Sequence, residues 1–181
     1  MPGRRDLPDK SAARQARLER RLFREETERI AEEMIGADTD LADYASELMN
    51  RSSLVRIGIA GRSFEGQLVH VGEDLVRLVD HAENVIDLAL DAVTQMRSMA
   101  PREGDLGGPA TAAWTFLGRL RELAATGEEI ELGGAEFAAV PGRIRVVATD
   151  HVRVIVRDGS QCAIRLGAVG YVLRRPRAER R

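Results

Sequence analysis

Two stretches of the chain are similar to each other: residues 66–96 read GQLVHVGEDLVRLVDHAENVIDLALDAVTQM, and residues 142–172 read GRIRVVATDHVRVIVRDGSQCAIRLGAVGYV. They align without a gap at an offset of 76 residues and are identical at 8 of 31 positions. Hydrophobic side chains also match where the residues differ, at Leu68/Ile144, Leu78/Val154 and Leu88/Ile164, and we expect these six side chains to be buried. Because an internal repeat reflects a repeated structural unit, we expect the second half of the chain to fold like the first.

Each repeated stretch has the period of short β-strands and follows a segment with the period of a helix. Hydrophobic residues alternate in short runs over residues 54–97 and again over 130–172, and turn residues separate the runs. Such alternation indicates about five half-buried strands in each half. Residues 39–50 and 110–126 instead place hydrophobic residues three and four positions apart. This spacing is typical of amphipathic helices.

The composition divides the chain into five parts. The first part holds a third helix over residues 10–35, which contain no Gly or Pro. The predicted boundaries are 1–36 for a basic segment and helix, 37–98 for the first helix and barrel, 99–109 for a Gly- and Pro-rich linker, 110–175 for the second helix and barrel, and 176–181 for a basic tail. The predicted fold class is α+β, with two tandem small β-barrels of the Sm-like or SH3-like type, each preceded by a helix, and an additional N-terminal helix.

A helix followed by five short strands resembles the Sm-like fold, and in particular the bacterial RNA chaperone Hfq and its Sm relatives. The residues that carry the resemblance in the first half are Val55-Arg56-Ile57, Gly61, Phe64-Glu65-Gly66-Gln67-Leu68, Val76-Arg77-Leu78 and Ala92-Val93. The resemblance covers residues 39–97 and, in a more divergent form, residues 110–173. It implies a non-enzymatic module that binds RNA or a protein partner and forms homo-oligomers through the edge strands of its barrels.

The chain is also similar to actinobacterial proteins that pair an Arg- and Glu-rich start with two such barrels. Some of these carry the label of Fis-type transcription regulators. Fis ends in a helix-turn-helix, whereas this chain ends in predicted strands and an arginine tail. The chain therefore resembles the two-barrel proteins and not Fis itself.

Basic side chains are concentrated at both ends of the chain. Residues 1–24 carry a net charge of +5 and residues 174–181 a net charge of +4, so the other 149 residues carry −11. Basic ends on an acidic body attract polyanions, and arginine binds phosphate with two hydrogen bonds. The alternative is that these charges are only solvated. In Hfq a Lys-His pair on the fourth strand reads RNA, and residues 86–91 and 162–167 lack that pair.

Two arginines within the repeat are further candidates, because Arg77 and Arg153 recur at the 76-residue offset and face away from the hydrophobic alternation. They mark either a shared binding surface or a solvated outer wall. The candidate nucleic-acid-binding residues are Arg14, Arg17, Arg20, Arg21, Arg24, Arg77, Arg153, Arg174, Arg175, Arg177, Arg180 and Arg181. RNA is expected more than DNA. The alternative function is a transcription-associated protein that binds DNA weakly through its arginine-rich termini.

The sequence shows no arrangement of residues that would support catalysis. The single cysteine, Cys162, takes an inward strand position, and the three histidines have no metal-ligand spacing. Asp74 and Asp150 recur at one turn, where a capping role explains them more simply than a catalytic pair. We therefore expect a cytoplasmic protein that is not an enzyme and has no cofactor, no metal and no membrane-spanning segment.

Overall fold

The computed structural model describes residues 40–51, 53–59, 61–100 and 114–176. The chain divides into two units, Met1–Asp40 and Leu41–Arg181. The described helices and strands all belong to the second unit. The predicted helix over residues 10–35 lies outside the described residues.

The described residues of the second unit form two helices and ten strands in a repeating order. The helices are α1 (Leu41–Asn50) and α2 (Phe116–Thr126). The strands are β1 (Leu54–Ile59), β2 (Arg62–Val71), β3 (Leu75–Val79), β4 (Val85–Ala89), β5 (Gln95–Ala100), β6 (Ile130–Gly133), β7 (Val140–Val147), β8 (His151–Val156), β9 (Gln161–Arg165) and β10 (Tyr171–Arg174). Neither described helix is long and apolar enough to cross a membrane.

All ten strands form one antiparallel sheet in the order β5-β1-β2-β3-β4-β10-β6-β7-β8-β9. The prediction of two closed small β-barrels, each with its helix, is therefore wrong, and so is the tandem Sm-like barrel arrangement. The cause is the pairing of β4 with β10, which hydrogen-bonds a strand of the first half to a strand of the second. Alternation along a strand predicts which face is buried, but it does not identify the neighbouring strand.

The backbone repeats at the 76-residue offset within this single sheet. Leu90 donates its amide to the Asp74 carbonyl at 2.9 Å, and Leu166 donates to Asp150 at the same distance. A short 3₁₀ turn follows β4 at Leu90–Ala92 and follows β9 at Leu166–Ala168. The register of β2 on β3 shifts after Leu68, and that of β7 on β8 shifts after Ile144. Equivalent strand pairs thus shift register at equivalent residues, and equivalent 3₁₀ turns follow β4 and β9.

A glycine in β2 and its counterpart in β7 allow close approach to the next strand. A Cβ atom at Gly66 would lie 2.2 Å from the carbonyl oxygen of Val79, and one at Gly142 would lie 2.2 Å from that of Ile155. Real Cβ atoms do not approach backbone so closely. Both positions therefore require glycine, and the reason is the path of the neighbouring backbone.

Two hydrophobic cores lie on the sheet, and each includes side chains from both halves. The first contains Tyr171 of β10 together with α1 and β1–β4. The second contains Leu75 and Ala89 of the first half together with α2 and β6–β10. Six predicted core residues are confirmed, with exposed fractions of 6% or less: Leu68, Leu78, Leu88, Ile144, Val154 and Ile164. The centre of the sheet is thus buried on both faces.

Candidate functional site

The two halves of the sheet meet where β4 pairs with β10. This pairing is antiparallel and places Val172 opposite Asp87. Next to it, the Ala89 amide donates to the carbonyl oxygen of Gly170 at 2.9 Å. Since β4 belongs to the first repeat and β10 to the second, the junction joins two copies of one structural unit within a single chain.

A buried carboxylate lies at the centre of this junction. Asp87 is fully buried, and its two oxygens accept hydrogen bonds from Arg77 Nε at 2.6 Å and Arg119 Nε at 3.0 Å. Arg174 Nε lies 4.0 Å from the same carboxylate. The arginines come from β3, α2 and β10, so Asp87 connects elements of both halves. Asp87 and these three arginines are called the Asp87 cluster below.

The start of α2 closes this cluster from one side. The ring of Trp114 lies over Arg77, with Cζ 4.4 Å from the ring centroid. The Arg77 side chain is only 13% exposed as a result. Asp74 Oδ1 accepts a hydrogen bond from the Phe116 amide at 2.6 Å, at the first residue of α2. The first half of the chain therefore holds the N-terminus of the second half's helix.

Three guanidinium groups lie around one fully buried carboxylate. Burial lowers the pKa of Arg174, and repulsion by Arg119 lowers it further. Burial also disfavours the charged form of Arg119, but hydrogen bonds to Glu122 and Asp87 outweigh it and raise the pKa of Arg119. The Arg77 Nη2 atom is buried and makes no hydrogen bond. Asp87 is thus the carboxylate that all three arginines share, while Arg119 also pairs with Glu122 and Arg174 with Glu128.

The same positions in the second repeat form an open surface. Arg153 takes the place of Arg77 and Ala163 that of Asp87, and both side chains are exposed. Arg153 lies opposite Ala163 across strands β8 and β9, and these side chains point away from the core residue Val154. This surface is called the β8–β9 face, and it consists of His151, Arg153, Ala163 and Arg165.

The two outermost strands of the sheet, β5 and β9, each have one unpaired side among the described residues. In the repeat, β9 is the counterpart of β4, and β5 is the counterpart of β10. Alternate residues of an antiparallel strand direct their amides to the same neighbour. The Ala89 amide points to β10, so the amides of its counterpart Arg165 and of Ala163 point to the open side of β9.

The described candidate arginines lie in different environments. Arg77 and Arg174 belong to the Asp87 cluster, whereas Arg153 is exposed on β8. Arg175 is 71% exposed and lies 3.8 Å from Glu131. Arg77 and Arg153 are thus equivalent in sequence but not in surroundings. The other candidates lie outside the described residues: Arg14, Arg17, Arg20, Arg21, Arg24, Arg177, Arg180 and Arg181.

A cleft of about 1070 Å³ opens beside the end of β10. Its walls carry Arg174 and Arg175 together with glutamates that include Glu128 and Glu131. Arg174 Nη1 lies 3.5 Å from Glu128. Opposite charges thus face one another across the cleft, and no single sign of charge dominates it.

The remaining predicted features have structural roles or none. Within the described residues, no group of three histidine, cysteine or acidic side chains is arranged to hold a metal. Asp74 caps α2, whereas its counterpart Asp150 pairs with His151 at 2.7 Å. The sequence analysis treated Asp87 only as part of a stretch that lacks the Lys-His pair and missed the cluster. The available signal was a lone carboxylate between Ile86 and Leu88 in a strand that also buries Ala89.

Comparison of the chain with family models, with curated proteins and with solved structures finds no match.

Proposed function

We propose that the protein is a non-enzymatic assembly module that associates head to tail with copies of itself. In this association, β9 of one copy pairs with β5 of the next and extends the sheet. The observation that carries the proposal is the internal junction, where β4 already pairs with β10. Inside the chain, β4 of the first repeat pairs with β10 of the second repeat. The strands equivalent to these two, β9 and β5, lie at the two edges of the sheet.

The internal junction also specifies the register of the proposed contact. In each β4–β10 pair, we replace the β4 residue by its counterpart in β9 and the β10 residue by its counterpart in β5. This places Met96 of the next copy opposite Ala163, and Arg97 of the next copy opposite Cys162. An exposed edge with unsatisfied amides pairs readily with another strand, and main-chain hydrogen bonds then supply affinity. Head-to-tail contacts of this kind form rings when the rotation closes and filaments when it does not.

The proposed contact is weaker than the internal one because its side chains are more polar. At the internal junction Tyr171 and Leu173 of β10 pack into the first core. Their counterparts in β5 are Gln95 and Arg97, which are exposed. Less hydrophobic area is buried by such residues. We therefore expect association that depends on protein concentration and is reversible.

The test is a substitution that removes one edge amide. Ala163→Pro deletes an amide on the open side of β9, where proline is compatible with an edge strand. Ala163→Ser keeps the amide and serves as the matched control. Sedimentation velocity over a concentration series should show association for the unchanged chain and for Ala163→Ser, and monomers for Ala163→Pro. Equal association of all three would contradict the edge pairing.

Binding of RNA or DNA stays a prediction, and the proposed location stays the cytoplasm. If nucleic acid binds, the arginine-rich termini should carry most of the affinity, because the body between them has a net charge of −11. Deleting a terminus should flatten the salt dependence by about one unit of logarithmic slope for each phosphate that the terminus binds. Unchanged affinity of residues 25–173 for a short RNA would contradict this role of the termini.

A further inference from the structure

The two helices differ in what they cover. Helix α2 packs on β7 of its own half and also on β4 of the other half. Helix α1 packs on β2, which is the counterpart of β7, and on β3 of its own half. The counterpart of β4 is β9, and the outward side chains Ala163 and Arg165 of that strand are exposed. The outward surface of β9 therefore has no described helix like α2, which covers the equivalent surface of β4.

The charges of α1 and of the β8–β9 face are complementary. Asp43, Tyr44 and Glu47 are exposed on one side of α1, where Tyr44 is 38% exposed and Glu47 pairs with Arg51. The β8–β9 face presents Arg153 and Arg165, both exposed. Complementary charge steers association and fixes its register. An acidic helix and a basic strand surface of the same chain are thus suited to each other.

We propose that α1 of the neighbouring copy docks on the β8–β9 face, in the position that α2 takes over the Asp87 cluster. This inference rests on the proposed edge pairing and names the second surface of the same contact. The helices align at an offset of 75 residues, so Tyr44 of the neighbour takes the place of Arg119 and lies over Ala163, beside Arg153. Asp43 and Glu47 of that helix then lie near the two arginines.

A second counterpart supports the same placement. At the internal junction Asp74 accepts a hydrogen bond from the first amide of α2. Its counterpart Asp150 has a side chain that is 84% exposed. In the docked arrangement Asp150 lies at the N-terminus of the neighbour's α1, where a carboxylate is favourable because it interacts with unpaired amides and the helix dipole. Transferring the internal contacts to their counterparts thus places Asp150 at the N-terminus of α1 and places Arg153 and Arg165 beside the acidic side of that helix.

The experiment measures self-association of charge-reversed full-length chains by sedimentation velocity. Arg153→Glu with Arg165→Glu, and separately Glu47→Arg, should raise the dissociation constant by about tenfold, since reversal turns attraction into repulsion. Glu47→Arg with Arg153→Glu in one chain should recover association to within about threefold of the unchanged protein. Arg121→Glu changes an exposed charge on α2 and is the matched control. Circular dichroism verifies that each variant is folded.

Weakening by each reversal and recovery in the combined variant would support the docking. Unchanged association of both reversed variants would overturn the docking and leave the edge pairing in place. Monomers at every concentration of the unchanged protein would overturn both proposals. Loss of association without recovery, together with loss of binding to a fluorescent poly-uridine oligonucleotide in Arg153→Glu/Arg165→Glu, would assign the face to nucleic acid and overturn the docking.

Discussion

The surface of β3 and β4 and the β8–β9 face occupy the same place in two repeats, yet one is buried and the other open. On the first, Leu75 and Asp87 are fully buried, and α2 covers them. On the second, the counterpart His151 is half-buried and the counterpart Ala163 is exposed. The two surfaces have the same backbone arrangement. Their side chains differ because α2 covers the surface of β3 and β4, whereas no described helix of the chain covers the β8–β9 face. Each position on the covered surface of β3 and β4 therefore has an equivalent position on the exposed β8–β9 face. Mutating both positions compares the two environments.

The largest difference in the free energy of unfolding is expected between substitutions of Asp87 and of Ala163. Asp87→Ala leaves three arginines without their common carboxylate in a buried site. Removing one partner of a buried ion pair costs about 3–5 kcal/mol, so the free energy of unfolding should fall by that amount in denaturant titration. Ala163→Ser, at the equivalent position, should change it by less than about 0.5 kcal/mol. A loss below about 1 kcal/mol for Asp87→Ala would mean that the cluster is not important for stability.

A smaller difference in the free energy of unfolding is expected between substitutions of the equivalent residues Arg77 and Arg153. Arg77→Met removes a charged hydrogen bond to Asp87 and the contact with Trp114. Charged hydrogen bonds contribute about 1.5–3 kcal/mol, so unfolding should become easier by roughly 2 kcal/mol. Arg153→Met should have an effect of about 0.5 kcal/mol or less, because Arg153 is solvated. Equal losses in thermal or denaturant unfolding would contradict their different environments.

The smallest difference concerns acid stability at the turns that follow β3 and β8. Burial raises the pKa of Asp80, but hydrogen bonds from Asn84 and Ala82 lower it more, so it lies below the ordinary value. A hydrogen bond from Ser160 lowers the pKa of Asp158 in the other turn. A lowered pKa in the folded state stabilises the protein above the unfolded pKa, and this stabilisation disappears as pH falls through the folded value.

Asp80→Asn should therefore flatten the loss of stability below about pH 4. Asp158→Asn should flatten it less, because Asp158 is bonded to one residue and Asp80 to two. Denaturant titrations at several acidic pH values compare the two variants with the unchanged chain. An identical acid profile for Asp80→Asn and the unchanged chain would contradict the contribution of Asp80.

Several parts of the fold follow from the sequence because they depend on local signals. Alternation assigned Leu68 and Ile144 to the core, where the structure buries both side chains. The pairing of β4 with β10 could not be predicted, since hydrophobic period does not identify neighbouring strands. The identity of Arg77 and Arg153 was misleading for a related reason. The same residue is largely covered in one repeat and exposed in the other because α2 covers only the first.

The proposed strand pairing can be tested most directly with the single cysteine of the chain. Cys162 lies on β9, and the shifted register places Arg97 of the next copy opposite it. Opposite residues in antiparallel strands have Cα atoms about 4.5–5.5 Å apart, which is within the range for a disulfide. In this register, Arg97→Cys should be able to form a disulfide with Cys162 of a neighbouring copy.

On mild oxidation, Arg97→Cys should form a ladder of covalent oligomers on a non-reducing gel. The ladder should disappear in Arg97→Cys with Cys162→Ser, and Ser98→Cys, one register position away, should cross-link much less. Cross-linking that is equally efficient at residues 97 and 98, or Arg97→Cys chains that stay monomeric under oxidation, would contradict head-to-tail pairing of β9 with β5.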